Sequence, residues 1–446
     1  MPSTIGSRRH WLLVVLVAAL IILLAAAGAQ ARPCNNCQHD EHAGGTATPA
    51  PITVTGTFRY ADTAGLRPIA FANVEVWRFA PHGIFNVWSW SHERTVTTDG
   101  AGRISATFPF DVSGVIYGLR VYATNYAAVV WPNDAAHTLP FHVNPGEPSG
   151  TKIERAATAA GQSLDFSWDF TDGWTPQHFN LAESVRRGFD FASARRDPRE
   201  SDPIPPAGVQ PTSVTGSWYN PTADTVVITS GAVLADLLIL HEYAHYLEDQ
   251  IGSFPWIAST HDGCVARDLL GADISSPEHA WMEGFANWFA QAVARNDPGA
   301  GLTGLSGAGG GTSSLGVLET PASATCTVPA GMTGDKVENR VAGVLWDLTD
   351  DVFDVGSAAE VADSQANNET TIFQIMDREL DVPPHGGPWP SINTFSTAWT
   401  GRGLDANSLG QIKALNGIFP VLLPPSDPPA EPSENVCAKK PWTPGC

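Results

Sequence analysis

His241, Glu242 and His245 are the residues whose types and spacing point most directly to chemistry. They lie within Leu237 to Glu248, a stretch whose first half is too apolar to face water and which reads as a helix. Residues four apart share a helical face, about 6 Å apart along the axis. Two imidazoles at that spacing can reach one metal ion. Glu242, one residue after the first imidazole, overhangs the open side of such an ion, where a carboxylate can take a proton from water. The plainer alternative is a buried helix with two hydrogen-bonded histidines and a surface glutamate. The apolar flank and a second helix downstream weigh against it.

That second helix is predicted from Pro277 to Ala290, with Ser275 or Ser276 as its cap and Pro277 in its first turn. Zinc held by two histidines alone is under-ligated, since catalytic sites use three protein ligands and a water. Glu283 is the candidate third ligand. On His241, Glu242, His245 and Glu283, the last after 37 intervening residues and within Glu-Gly-Phe-Ala, the chain resembles the gluzincin type of zinc metallopeptidase. The resemblance implies a single catalytic Zn²⁺, Glu242 as general base, and peptide or protein substrates. Many gluzincins place an Asp four residues after the ligand Glu to orient a histidine. Here the residue is Asn287, which can accept a hydrogen bond from an imidazole but brings no charge.

Other residues compete for the ligand positions. A metzincin would carry a Gly and a third His shortly after the motif, where this chain has Glu248 and Ile251. His261, Asp262 and Asp268 lie in a loop-like stretch that could fold back toward the metal. His279, one turn before Glu283, either looks into the cleft or packs beside it. For the oxyanion donor, related enzymes use a His or Tyr from the C-terminal part. No Tyr follows Tyr246, so His385, between Pro384 and two glycines, is the catalytic candidate and Tyr219 the fallback. Two other function classes stay open: a cell-surface binding protein with a structural zinc, and a zinc hydrolase of non-peptide amides or esters.

The elements that must position these residues follow from composition and periodicity. The 446 residues suffice for two domains with ample core. A net charge of −21 argues against nucleic acid and anionic membrane surfaces as partners. Acidic residues can bind Ca²⁺, but no loop has a recognisable calcium spacing. Residues 1–31 read as a signal peptide or N-terminal anchor: Arg8-Arg9, an apolar run from Trp11 to Ala27, and Ala29-Gln30-Ala31 as a cleavage site. Membrane contact is expected only through residues 11–29, if they stay uncleaved. The remainder is expected to be secreted, or held at the cell surface by that segment. No large inhibitory prosegment is expected. Six cysteines in an exported chain suggest disulfides, with Cys264–Cys326, Cys437–Cys446 and Cys34–Cys37 as pairings that sequence leaves open. Cys34 to His42 reads as a tether or a small metal-binding tract.

Residues 32–50 are linker. From 51 to 170, period-two alternation separated by turns, with Asp99-Gly100 as a hairpin turn, predicts an all-β, antiparallel sandwich of immunoglobulin or transthyretin-like type. On Gly56, Ala72, Val74, Val76 and Thr97 to Gly102 this stretch is similar to transthyretin-like or carboxypeptidase-regulatory-like modules, and a spacer role is expected. From 171 to 423 a mainly α (α+β) zincin-type metallopeptidase domain is expected, so the fold class is multidomain. Its first helix, Pro176 to Arg196, should expose Arg186, Arg187 and Arg195. A Pro-rich break follows, then a hairpin of Ser217 to Asn220 and Thr225 to Thr229. The strand around Val226 to Thr229 is expected to be the edge that pairs with substrate backbone. Residues 297–335 read as a loop, Lys336 to Leu348 as a helix with Arg340 in a surface salt bridge or, alternatively, binding a substrate carbonyl or carboxylate, and 370–380 and 403–418 as further helices. Residues 424–446 form a Pro-rich tail.

Overall fold

A computed structural model describes residues 48–82, 87–133, 139–255, 260–261, 265–267, 274–303, 331–350, 366–381 and 388–419. The expected targeting segment, all six cysteines, Asp262, Asp268, His385 and the C-terminal tail lie outside the described residues.

The strand β1 (Ile52–Asp62) alternates buried and half-exposed residues because Ile52, Val54, Phe58 and Tyr60 all point to one face. It is paired on both edges. Residues 53–55 lie between antiparallel β5 (Arg103–Phe108) and parallel β10 (Ser163–Asp165). Residues 59 and 60 lie between antiparallel β2 (Gly65–Pro68) and parallel β11 (Trp168–Phe170). A second sheet orders β4 (Val87–Thr97), β3 (Asn73–His82), β6 (Val115–Tyr122) and β8 (His142–Val143), with β9 (Glu154–Ala157) also on β6, all antiparallel. The inner faces of the two sheets meet, with the rings of Phe108 and Tyr117 5.5 Å apart.

Two local expectations need correction. The first sheet is mixed, because β10 and β11 return alongside β1 in its own direction rather than as a meander. Asp99-Gly100 is not a hairpin turn. The Asp99 carboxylate accepts from the backbone N–H of Ala101 and Arg103, and the turn carries the chain from β4 in one sheet to β5 in the other. Gly102 closes it at φ 75°, where a Cβ would lie 2.3 Å from the Phe58 carbonyl oxygen.

A third sheet orders β13 (Trp218–Asn220), β14 (Thr225–Thr229), β12 (Ala207–Thr212) and β7 (Ala128–Val130). The hairpin β13–β14 is present as expected. The strand expected to be the substrate-binding edge is interior, however: β14 lies between β13 and β12, and the edge is β13. The strand β12 begins directly after the Pro-rich break at 202–206, in a stretch for which no element was expected, and β7 comes from within residues 51–170 and pairs in parallel with it.

The helix α1 (Thr175–Ser193) joins these layers. Phe179 packs on Phe170 and Tyr60 of the first sheet, at 5.2 and 6.4 Å, while Phe191 meets Phe289 at 5.4 Å among the later helices. Buried on both sides, α1 cannot leave its arginines in water. Arg186 and Arg187 are largely covered and share the carboxylate of Glu183, and the expectation that they are exposed does not hold. Arg195, half-buried, caps its own helix by donating to the Phe191 carbonyl.

The remaining helices are α2 (Asp236–Ile251), α3 (Pro277–Asn296), α4 (Glu338–Asp347), α5 (Glu369–Gln374), which runs into a π-turn at Ile375–Glu379, α6 (Ile392–Gly401) and α7 (Ala406–Leu415). The helix α6, not expected from sequence, carries Ile392, Phe395 and Trp399 on one buried face and a capping box at Ser391 and Thr394. Arg340 of α4 donates to the Gly417 carbonyl, which ties α4 to the end of α7.

Candidate metal centre

The metal-competent residues sit on α2 and α3, and each helix is held in place by named contacts. The first turn of α2 is anchored by Asp236. One carboxylate oxygen accepts from Asn180 (3.1 Å) and Ser184 (2.7 Å) of α1, and the other accepts from the backbone N–H of Thr303 (2.9 Å). Below it, Gly188 of α1 allows close approach: a Cβ there would lie 2.7 Å from the Tyr243 ring and 2.9 Å from Leu240. The helix α3 starts where Ser276 accepts from the backbone N–H of His279, with Pro277 in the first turn as expected.

These supports bring His241, His245 and Glu283 together, with one ligand atom from each within 4.8 Å of the other two. Glu283 Oε2 lies 3.1 Å from His241 Nε2 and 3.4 Å from His245 Nε2. All three side chains are buried. The opposite ring nitrogens are turned to oxygens: His241 Nδ1 lies 3.0 Å from Asn287 Oδ1, and His245 Nδ1 lies 3.2 Å from Glu248 Oε2. An Nδ1–H donated in each case leaves Nε2 of both rings as a lone pair directed at the shared point beside Glu283. Two neutral imidazoles and one carboxylate around a common point are a donor set suited to zinc. The chemistry of the residues therefore fits a divalent ion.

The electrostatics agree. Burial opposes charging of the His245 imidazole, but Glu283 and Glu248 more than offset this and hold its pKa well above the ordinary value. Burial pushes the Glu248 carboxyl up to about 8, against the lowering effect of His245. Beside the Glu283 carboxylate the ion-free site thus holds a proton on His245, in the place where a divalent cation would supply the positive charge.

Glu242, also buried, occupies the position on α2 that the motif requires. His279 does not join the cluster; its Nδ1 lies 3.7 Å from Glu338 Oε1, on α4. The strand β15 (Thr260–His261) contains the backbone of His261, whose side chain lies outside the description. The hydroxyl of Tyr219, the fallback oxyanion donor, is committed to the Asp249 carboxylate, which together with burial drives its pKa far upward. Glu248 is a site residue that the sequence reading missed. The available signal was its position three residues after His245, on the same helical face.

Comparison with known proteins bears on this region. The family described as Mycolysin C-terminal domain matches residues 200–380, the segment that contains His241, Glu242, His245 and Glu283. That match relates the chain to metallopeptidases and makes it a peptidase-related protein. A protein of Archaeoglobus fulgidus, described only as uncharacterized, is 29% identical over 324 residues, covering 64% of this chain and 84% of its own. Among solved structures, (S)-allantoin synthase is 9% identical over 28% of this chain and 41% of its own, with a TM-score of 0.18. A 9R-lipoxygenase from Cyanothece PCC8801 is 12% identical over 40% of this chain and 27% of its own, with a TM-score of 0.15. The chain spans well under two thirds of either structure.

Proposed function

We propose that the chain is a zinc-dependent metallopeptidase, with His241, His245 and Glu283 holding one Zn²⁺ and Glu242 acting as general base. The single observation that carries this reading is the convergence of both Nε2 atoms on Glu283 Oε2. Zinc, when bound, supplies Lewis acidity to a water and to the scissile carbonyl. The protein's own residues do the rest. Asn287 and Glu248 hold the two imidazoles in one tautomer and one orientation. Glu242 takes a proton from the attacking water and passes it to the departing amine. The strand β13, at the sheet edge, offers backbone N–H and C=O groups to an extended peptide. His385 remains the proposed oxyanion donor, since Tyr219 is engaged elsewhere. The all-β sandwich followed by a mainly α zincin-type domain is the proposed fold class.

Export is part of the proposal, with residues 1–31 as signal or anchor. Among the described residues no helix is long and apolar enough to cross a membrane. The test is metal analysis paired with peptide hydrolysis. Purified protein should carry about one zinc per chain, and Glu283→Ala should lose it. Glu242→Gln should keep the metal and lose hydrolysis by about 100-fold or more. Zinc retained in full by Glu283→Ala, or peptides cleaved as fast by Glu242→Gln, would refute the assignment.

A further inference from the structure

The face of α2 that carries the His245 imidazole continues one turn further, and there it holds the strand β13. Asp249 follows His245 by four residues, so the two side chains leave the same side of the helix. Asp249 Oδ2 accepts from the Tyr219 hydroxyl at 2.5 Å. Tyr219 is the middle residue of β13, and it is buried. Its ring meets that of Tyr246 on α2 at 5.9 Å and that of Phe254, just past the end of α2, at 5.6 Å. Phe254 in turn lies 5.5 Å from the His245 ring. Two routes therefore run from Tyr219 toward the metal ligands. One is a hydrogen bond to the turn after His245, and the other is a row of rings that ends on His245 itself.

The strand needs such a tie. It has three residues, and among the described residues it pairs with β14 alone. So short a ladder at a sheet edge opens at little cost. At its start Ser217 Oγ accepts from the Thr229 N–H at 3.1 Å, which holds the strand within the sheet but not against the helix. The turn after β13 adds a second link. Asp224 Oδ1 lies 3.5 Å from the same hydroxyl, and Gln250 of α2 donates to both Asp224 and Asp249 at 3.4 Å. Edge strand, turn and metal-bearing helix thus meet at the Tyr219 hydroxyl. The rings around Tyr219 would accept a phenylalanine; what the hydroxyl adds is a short, directed bond to a carboxylate.

We infer that Tyr219 is a positioning residue, which sets the distance between the peptide-binding edge and the metal through Asp249. The role rests on the metallopeptidase reading for the use made of that distance. An extended peptide lying along β13 must present one carbonyl to the ion, and a misplacement of about 1 Å costs about 100-fold in rate. A substrate too short to lie along β13 is placed by the metal site alone and gains little from the tie. Substrate length therefore separates this role from that of an oxyanion donor, whose loss slows short and long substrates alike.

The test compares a blocked octapeptide from casein with a blocked dipeptide amide on the full-length chain. Tyr219→Phe should keep its zinc and lower kcat/KM for the octapeptide about tenfold more than for the dipeptide. Asp249→Ala should do the same, and Asp249→Asn, which keeps an oxygen for the phenol, should restore the parent ratio. Calorimetry of the octapeptide on Glu242→Gln reads the alignment without turnover, and adding Tyr219→Phe should weaken that binding by about tenfold. An equal loss for both substrates, or octapeptide binding that is absent or indifferent to the hydroxyl, overturns the inference. So does a Tyr219→Phe protein that sheds its zinc or does not fold, since the hydroxyl then supports the fold at large. A parent chain that binds the octapeptide but cuts neither substrate would instead sink the peptidase reading, and the calorimetric comparison would still decide the role of Tyr219.

Discussion

Asn287 lies one helical turn beyond Glu283 and turns its side-chain oxygen to His241, 3.0 Å from Nδ1. One face of α3 thus supplies both a ligand carboxylate and the group that orients a ligand on the neighbouring helix. Asn287→Ala should weaken zinc binding by about 10–100-fold, while Asn287→Asp should hold or tighten it, since a carboxylate makes the imidazole a better donor. Competition with a chelator of known affinity measures both. Equal affinities for all three proteins would remove Asn287 from the site.

Glu248 makes the corresponding contact to His245, but from the same helix and fully buried. Glu248→Gln keeps an oxygen for Nδ1 and should leave zinc affinity within about tenfold. Glu248→Ala should cost about 10–100-fold. The ratio between the two variants is the informative quantity, since Gln keeps an oxygen for Nδ1 and Ala does not; equal zinc affinities in both would remove Glu248 from the site. Hydrolysis at saturating zinc should recover in both.

Gly284, adjacent to Glu283, is the point where α3 meets α4. A Cβ there would lie 2.8 Å from Val341 Cβ and 2.9 Å from the Glu338 carbonyl oxygen. Gly284→Ala should therefore cost about 1–3 kcal/mol through overpacking, despite the better helix propensity of Ala. Denaturant unfolding of the metal-free protein checks this, and a stabilised variant would show that the two helices can separate cheaply.

His178 on α1 stacks on Phe141 with ring centres 3.7 Å apart and donates from Nδ1 to the Trp174 carbonyl at 2.7 Å. Burial holds its pKa below the ordinary 6.5, with the Trp174 carbonyl pulling the other way. The unfolded chain takes up the proton more readily than the folded one. The stability this residue contributes is present above about pH 6.5 and is lost as pH falls below it. His178→Gln should show a flatter fall in melting temperature between about pH 7 and pH 5. An identical slope in variant and parent would exclude His178 as a source of acid sensitivity.

How far the sequence could be read depended on whether a signal was local. The metal-bearing helix announced itself through spacing and an apolar flank, and Asn287 followed from a four-residue offset. Glu248 was passed over because its position was weighed only as a place where another peptidase class carries glycine. The helix α6 was readable in principle from Ile392, Phe395 and Trp399, but its ten residues sit in a stretch of Thr and Ser with little contrast. The strand β4 carries little signal of its own, because Trp, Ser, His and Glu alternate there without an apolar inner face; most of its residues are exposed. The strand β12 was obscured by the prolines just before it and by Pro211 within it, which is tolerated because it lies beyond the reach of β7 and pairs with β14 alone. Which strands run alongside β1 was not legible at all, since β10 and β11 are three residues each and their partners lie about a hundred residues away.

Three residues, Ala128 to Val130, leave the N-terminal layers to complete a sheet whose other strands begin at Ala207. From Pro49 onward the chain is accordingly one unit. The front half cannot be traded for another module, as a bead on a string could be, without baring a strand edge beside α1.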